Sequence, residues 1–157
     1  MIRRATILAV GKLRGWSADA SDDYAKRLRR YFQTDIIEIP EEDMNRRSAG
    51  EVISIEEKRL TKRIPDGAHL VTLDRARGKR ISSEDLSRRL GSLGVSGRGH
   101  VAVVIGGPLG LSSDLLDRAD EAWSFGEITL PHALARVVLL EQLYRAAKIQ
   151  RNEKYHW

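Results

Sequence analysis

A glycine-rich turn stands where a run of apolar residues ends and a helical pattern begins. The stretch reads HVAVVIGGPLGLSS and spans residues 100–113. Turns of this kind often hold phosphates, but a P-loop continues into Gly-Lys-Ser or Gly-Lys-Thr, and this loop has no such lysine. Gly106, Gly107 and Gly110 also lack the G-x-G-x-x-G spacing of a dinucleotide loop, and Pro108 removes a backbone donor. We therefore do not expect the loop to bind a nucleotide phosphate.

A second irregular segment, residues 124–130, precedes a long helical pattern that opens near Pro131. Loops at the carboxyl ends of parallel strands are where open α/β sheets bind ligands. Backbone groups and apolar walls without a basic clamp favour a nearly neutral, nucleoside-like ligand. The alternative is purely structural, with Gly106 and Gly107 making a tight turn at a strand end.

The elements that would carry these loops alternate between strand and helix patterns. We predict strands at 5–10, 35–39, 69–73, 101–105 and, more weakly, near Ile128. We predict helices at 22–33, 51–64, 83–93, 113–122 and 133 to about 151. Ser82 and Ser112 are expected helix caps. The pattern predicts an α/β fold over 1–157: a single-domain parallel sheet with helices on both faces.

Composition narrows the class of protein. A chain of 157 residues with 41% apolar and 31% charged residues suits one globular domain. It contains no cysteine, which excludes disulfides, thiolate zinc sites and a cysteine nucleophile. The first apolar run, residues 5–10, is too short for a signal peptide or a membrane span, so we expect a cytoplasmic protein without membrane or metal.

The net charge of +5 is unevenly distributed along the chain. Residues 1–30 hold eight Lys or Arg against three Asp, and residues 136–157 are also basic. Basic residues gathered at both ends suit a polyanion such as RNA. Solvated helix faces would give the same pattern, so charge alone leaves both interpretations open.

Several short motifs occur together, in an order typical of one family. They are ILAVGKL, LDRARGK, VIGGPLGLS, ITLPHALAR, LLEQLYRA and the closing YHW. The chain resembles the RlmH family of SPOUT-class methyltransferases, which methylate N3 of a pseudouridine in bacterial 23S rRNA. The resemblance covers the whole chain, with departures at an extra residue in LDRARGK and at the final Trp157.

The resemblance implies properties that composition does not show. It implies a SPOUT-type fold with a C-terminal trefoil knot, S-adenosyl-L-methionine as cofactor, a homodimer, and action on 23S rRNA in the assembled ribosome. Carried over by motif, the cofactor-binding residues are Leu73, Gly106, Phe125, Gly126, Glu127, Ile128, Thr129 and Leu130. The glycine loop would then cradle S-adenosylmethionine, which explains why no lysine is needed.

Methyl transfer to N3 of a pseudouridine needs alignment of the reactants and loss of an imide proton. His132 is a candidate base, although a lone His at a helix start is often structural. Arg136 lies one helical turn later and could bind a phosphate or the base carbonyls, or form a surface ion pair.

The C-terminal segment YRAAKIQRNEKYHW interleaves cations with aromatic rings. This composition suits a flipped base, which stacks on a ring while charge holds its backbone. Tyr144 falls on the apolar face of the last helix and is expected in the core. We expect Tyr155 and His156 at the substrate, in a tail that orders when RNA arrives; an ordinary packed C-terminus is the alternative.

The sequence leaves two other functions open. One is a catalytically inactive ribosome-associated RNA-binding or assembly factor, which the intact GGPLG, ITLPHALAR and YH segments disfavour. The other is a SPOUT methyltransferase with another RNA target, which the sequence does not separate from the first hypothesis.

Overall fold

One six-stranded sheet organises the computed structural model, which describes residues 1–155. The elements in chain order are β1 (Arg4–Val10), α1 (Gly15–Leu28), β2 (Gln33–Ile39), α2 (Ala49–Thr61), β3 (His69–Leu73), β4 (Lys79–Arg80), α3 (Ser83–Val95), β5 (His100–Ile105), α4 (Ser113–Arg118), β6 (Glu121–Ser124) and α5 (His132–Gln150). The strands lie in the order β2-β1-β5-β3-β6-β4, and all their pairings are parallel. The predicted α/β fold with a parallel sheet is confirmed.

Helices cover both faces of the sheet because successive strand side chains point in opposite directions. In β1, Ile7 and Ala9 pack in a core shared with α1, α3 and α5. Their neighbours Leu8 and Val10 pack in a second core with α2 and α4. The two-sided burial explains why β1 and β5 read as continuous apolar runs.

The two predicted helix caps are confirmed. The Ser82 hydroxyl accepts the Asp85 N–H at 3.0 Å, and the Asp85 carboxylate accepts the Ser82 N–H in return. The Ser112 hydroxyl accepts the Leu115 N–H at 3.0 Å. These bonds satisfy backbone donors that a helix start leaves open, and they fix where α3 and α4 begin.

The last strand lies elsewhere than predicted. The strand expected near Ile128 is wrong, because β6 precedes that residue and Ile128 is 79% exposed in the following loop. The helix expected over 113–122 ends at Arg118, since Asp120 exchanges hydrogen bonds with Leu70 and starts the pairing of β6 with β3. The sequence EAWS of β6 has no alternating apolar pattern, so its strand conformation depends on this pairing.

The first helix begins earlier than predicted, at Gly15 instead of Asp22, and it ends at Leu28. Arg14 provides no side-chain cap, and no acidic residue lies in the first turn, so the usual start signals are missing. The two-residue strand β4 was not predicted either. No helix within residues 1–155 is long and apolar enough to cross a membrane.

Candidate active site

A cavity of about 640 Å³ opens at the carboxyl edge of the sheet. Its walls come from the loops that follow β3, β5 and β6 and from the first turn of α5. β5, β3 and β6 are neighbours in the sheet, so parallel pairing brings their carboxyl ends together. The predicted placement of a ligand site at this edge matches the cavity.

The glycine loop after β5 is folded back on itself. The Gly110 N–H donates to the Gly107 oxygen at 2.9 Å, and Gly110 has φ +80°. A Cβ added to Gly106 would lie 2.8 Å from the Gly110 carbonyl carbon and 2.9 Å from its oxygen. The loop therefore needs glycine at 106 for its own closure.

A buried hydroxyl joins the loops after β3 and β6. Ser124 is 2% exposed, and its Oγ lies 3.1 Å from the carbonyl oxygens of both Arg75 and Gly126. The Gly126 N–H donates to the same Oγ at 3.1 Å, and Gly126 has φ +110°. Nothing in the sequence pattern marked Ser124, because its partners come from two separate loops.

Seven of the eight residues predicted to bind the cofactor line the cavity: Leu73, Gly106, Phe125, Gly126, Ile128, Thr129 and Leu130. Glu127 does not. Its side chain is 81% exposed and pairs with Arg80, while its carbonyl oxygen accepts a hydrogen bond from Arg75. Glu127 thus holds the loop from outside and presents no carboxylate to the cavity.

Comparison with known proteins identifies the family. Residues 3–156 match the family described as predicted SPOUT methyltransferases. A protein from Rubrobacter xylanophilus named Ribosomal RNA large subunit methyltransferase H is 66% identical over 158 residues, and the match covers 100% of both chains. The chain belongs to the SPOUT methyltransferase family.

Solved structures share the fold at low sequence identity. A probable methyltransferase from Bordetella pertussis matches with a TM-score of 0.57 and 14% identity, over 93% of this chain and 95% of that one. A Legionella pneumophila structure, described as a methyltransferase in complex with bound SAM, matches with a TM-score of 0.50 and 13% identity, over 92% and 66%. Both likenesses support the SPOUT fold of this chain.

In this SPOUT family member, His132 begins α5 and lines the cavity. The side chain is half-buried, and a Cβ added to Gly11 would lie 3.8 Å from its Nε2. The imidazole therefore borders the turn that follows β1. Among residues 1–155, it has no hydrogen-bond partner, which leaves its nitrogens open to a ligand.

Arg136 is 1% exposed and does not line the cavity. Its guanidinium donates to the Glu38 carboxylate and, at 2.9 Å, to the Gly11 carbonyl oxygen. Glu38 also accepts the Leu13 N–H at 2.8 Å. The Arg136 end of this ion pair is buried, whereas the Glu38 side chain is 33% exposed. In this arrangement the guanidinium binds protein groups, where a phosphate, base carbonyls or a surface ion pair was expected. Arg136 instead ties α5 to the ends of β1 and β2.

Tyr155 packs against the C-terminal half of α5. Its ring centroid lies 5.2 Å from that of Tyr144, and its hydroxyl donates to Glu141 Oε1 at 3.0 Å. Burial and this hydrogen bond raise the pKa of the Tyr155 hydroxyl. Glu141 lies nine residues after His132, or about 13 Å along the helix. One chain therefore does not bring Tyr155 to His132, and His156 lies outside the described residues.

Glu56 is a buried carboxyl group beneath the glycine loop. It is 3% exposed, and its Oε2 accepts the Glu42 N–H at 3.0 Å. A Cβ added to Gly107 would lie 3.3 Å from its Oε1. Burial raises the pKa of the Glu56 carboxyl, with Glu41 adding to the effect. No pattern in the sequence marks this residue, since the charged run around it resembles a solvated helix face.

Proposed function

We propose that the chain is an S-adenosylmethionine-dependent methyltransferase that methylates N3 of a pseudouridine in 23S rRNA of the assembled ribosome. Its family membership and the full-length relative named for large-subunit rRNA methylation support this function. The observation that carries the proposal is the cavity in which the glycine loop, the loop after β6 and His132 meet.

The cavity fits S-adenosylmethionine. Its volume lies within the range of about 300–1,000 Å³ typical of small-molecule sites. Apolar side chains and backbone groups dominate the lining, and Arg75 is already engaged with Glu127. Within residues 1–155, no group of three His, Asp or Glu side chains could hold a metal ion. Leu73, Gly106 and the loop 125–130 would hold the cofactor.

When bound, the cofactor supplies a methyl group on a positively charged sulfur. The glycine loop and the loop after β6 would hold that group in line with N3 of the target, so alignment contributes much of the acceleration. The His132 imidazole, which belongs to the cavity lining, would accept the imide proton of N3.

The homodimer belongs to the proposal as well. The apolar side chains of α5 pack mostly within the chain, since Leu140, Leu143 and Tyr144 are buried in its own core. The separation of Tyr155 from His132 supports the dimer more directly, because a second copy could bring tail residues to this cavity. Light scattering checks it: a mass near the 17.7 kDa of one chain would contradict the dimer.

Two further features follow from the family and stay predictions. They are the C-terminal trefoil knot and action in the cytoplasm, where ribosomes are assembled. The convergence of the glycine loop with the loop before α5 is consistent with a knot that brings the last helix to the cofactor.

The function is tested by incubating the protein with labelled S-adenosylmethionine and either ribosomes or free rRNA. We expect label on one pseudouridine of 23S rRNA, with ribosomes as the preferred substrate. Label on a different RNA would contradict the target. Cofactor binding without transfer to any RNA would indicate an inactive RNA-binding protein.

A further inference from the structure

A groove of about 460 Å³ lies beside β4, the strand at one edge of the sheet. It runs between the outer face of α3 and the edge formed by β4 and β6, and we call it the β4–α3 groove. Ile81, Ala122 and Trp123 contribute apolar surface, while Lys79, Arg80, Arg88 and Arg89 contribute positive charge. It shares no lining residue with the cavity at the carboxyl edge.

The segment that forms the groove concentrates positive charge. Residues 74–89 hold six Lys or Arg against three Asp or Glu, a net charge of +3. The groove itself has only two acidic residues, Asp85 and Glu121. This local excess is hidden in the whole-chain balance, in which residues 31–157 sum to zero.

Only one of the four cations is committed to a partly buried partner. Arg89 pairs with Glu121, which also accepts hydrogen bonds from His69 and the Trp123 indole and forms part of the groove floor. These bonds lower the pKa of Glu121 against the opposing effect of burial, so the carboxylate stays ionised and keeps Arg89 in place.

Arg88 and Lys79 are available to an anion. Arg88 pairs with Asp85, and this pair is largely exposed to solvent. Water and salt screen exposed pairs of this kind, so a phosphate competes with the pair readily. Lys79 has no ion pair in the part of the chain that the structure describes.

We propose that the β4–α3 groove binds the phosphate backbone of the RNA that flanks the target nucleotide, an inference that rests on the proposed function. The groove is open and carries the charge that a polyanion requires. Its edge strand is two residues long and consists of Lys79 and Arg80. Cations on a short edge strand disfavour addition of a peptide strand, which argues against a protein segment as the occupant.

The groove is also linked to the active site. The Arg80 side chain lies at the edge of the groove and pairs with Glu127. Glu127 belongs to the loop that lines the cofactor cavity. RNA held in the groove is therefore next to that loop. Phosphate contacts here would position the substrate, and they would not discriminate between base sequences.

The test compares two double variants that lose the same charge. Lys79→Gln/Arg88→Gln removes two exposed cations of the groove, and Lys62→Gln/Arg63→Gln removes two exposed cations after α2 as a control. Binding to purified ribosomes is measured by cosedimentation at several salt concentrations, together with kcat, KM for ribosomes, and cofactor affinity by calorimetry. Because binding is read without turnover, its outcome is separate from failure of the methyl transfer itself.

The groove variant is expected to lose affinity for ribosomes on the order of tenfold, with the salt slope shallower by about 1.5. KM should rise while kcat and cofactor affinity stay unchanged, and Lys79→Arg/Arg88→Lys should restore binding. Equal losses in the two double variants would show a bulk charge effect and overturn the proposal. A loss with an unchanged salt slope would show contact with something other than phosphates and would also overturn it.

Discussion

Two side chains at the start of α5 have different tasks because their burial differs. His132 lines the cavity and has no hydrogen-bond partner within residues 1–155, whereas Arg136 is buried and bonded to Glu38 and Gly11. The first is the proposed acceptor of the N3 proton. The second is a positioning residue that fixes the helix on which His132 stands.

Replacing His132 with Asn tests its proposed role. His132→Asn removes the group that would accept the N3 proton while keeping a polar side chain at the helix start. We expect methyl transfer to ribosomes to fall by about 100-fold, the lower range for a positioned acid–base group. Cofactor affinity, measured by calorimetry, should stay nearly unchanged. Full activity in this variant would assign His132 a structural role.

The buried Glu56 carboxyl makes stability depend on pH. Since burial raises its pKa in the folded state, its contribution to stability is present at acidic pH and is lost as the pH rises through the folded pKa. Glu56→Gln keeps an acceptor for the Glu42 N–H and removes this charge. The melting temperature of the variant should exceed that of the parent at pH 8 and approach it towards pH 4.

Glu57→Gln, at the neighbouring position of α2, controls for the loss of one negative charge. A difference between Glu56→Gln and the parent that is the same at every pH would contradict the assignment of a raised pKa to Glu56.

Among the helices and strands, those predicted correctly are the ones whose sequence pattern lies within a single segment. The apolar runs of β1, β3 and β5 and the caps at Ser82 and Ser112 need no distant partner, and all were predicted. β6 was misplaced because EAWS becomes a strand only by pairing with β3. The start of α1 was missed because Arg14 offers no cap.

The same distinction applies to the candidate site. The glycine loop and the loop 125–130 were found from local motifs and family resemblance. Ser124, Glu38 and Glu56 were not found, because each acts through contacts between segments distant in sequence. Arg136 was recognised as important, but its burial depends on the packing of α5 against the ends of β1 and β2.

Arg136 joins three elements, so its loss should weaken the fold. Arg136→Gln removes the guanidinium from the partly exposed Glu38 carboxylate and leaves the Gly11 carbonyl without its donor, and an unsatisfied buried acceptor costs about 1–3 kcal/mol. We expect a lower free energy of unfolding in urea titration. Arg27→Gln breaks an exposed pair with Asp23 and should leave the free energy of unfolding nearly unchanged. Equal effects of the two variants would contradict the structural role of Arg136.

The glycine loop is the other element with a strict requirement. Gly106→Ala places a Cβ against the Gly110 backbone, so the loop must shift and cofactor affinity should fall at least tenfold. Gly50→Ala, in α2, meets nothing within 4 Å and serves as the matched control with unchanged affinity. Calorimetry that gave equal affinities for the two variants would show that the loop does not shape the site.

In the molecule as a whole, the order of the parallel strands brings the residues of the candidate site together at one edge of the sheet. The loops after β3, β5 and β6 meet because their strands are neighbours, and α5 begins beside them. The cation-lined groove lies at the outer edge of the same sheet. The fold thus separates a nearly neutral cavity from a cation-lined groove.

We propose that the cavity at the carboxyl edge holds S-adenosylmethionine, and calorimetric titration of a cavity-filling variant measures whether it does. Ala135 lines the cavity from α5, whereas Ala133, one position after His132, does not. We predict micromolar affinity without added metal for the parent protein and for Ala133→Phe, and loss of binding for Ala135→Phe with its melting temperature retained. Undiminished binding by Ala135→Phe would show that the cofactor does not bind in this cavity.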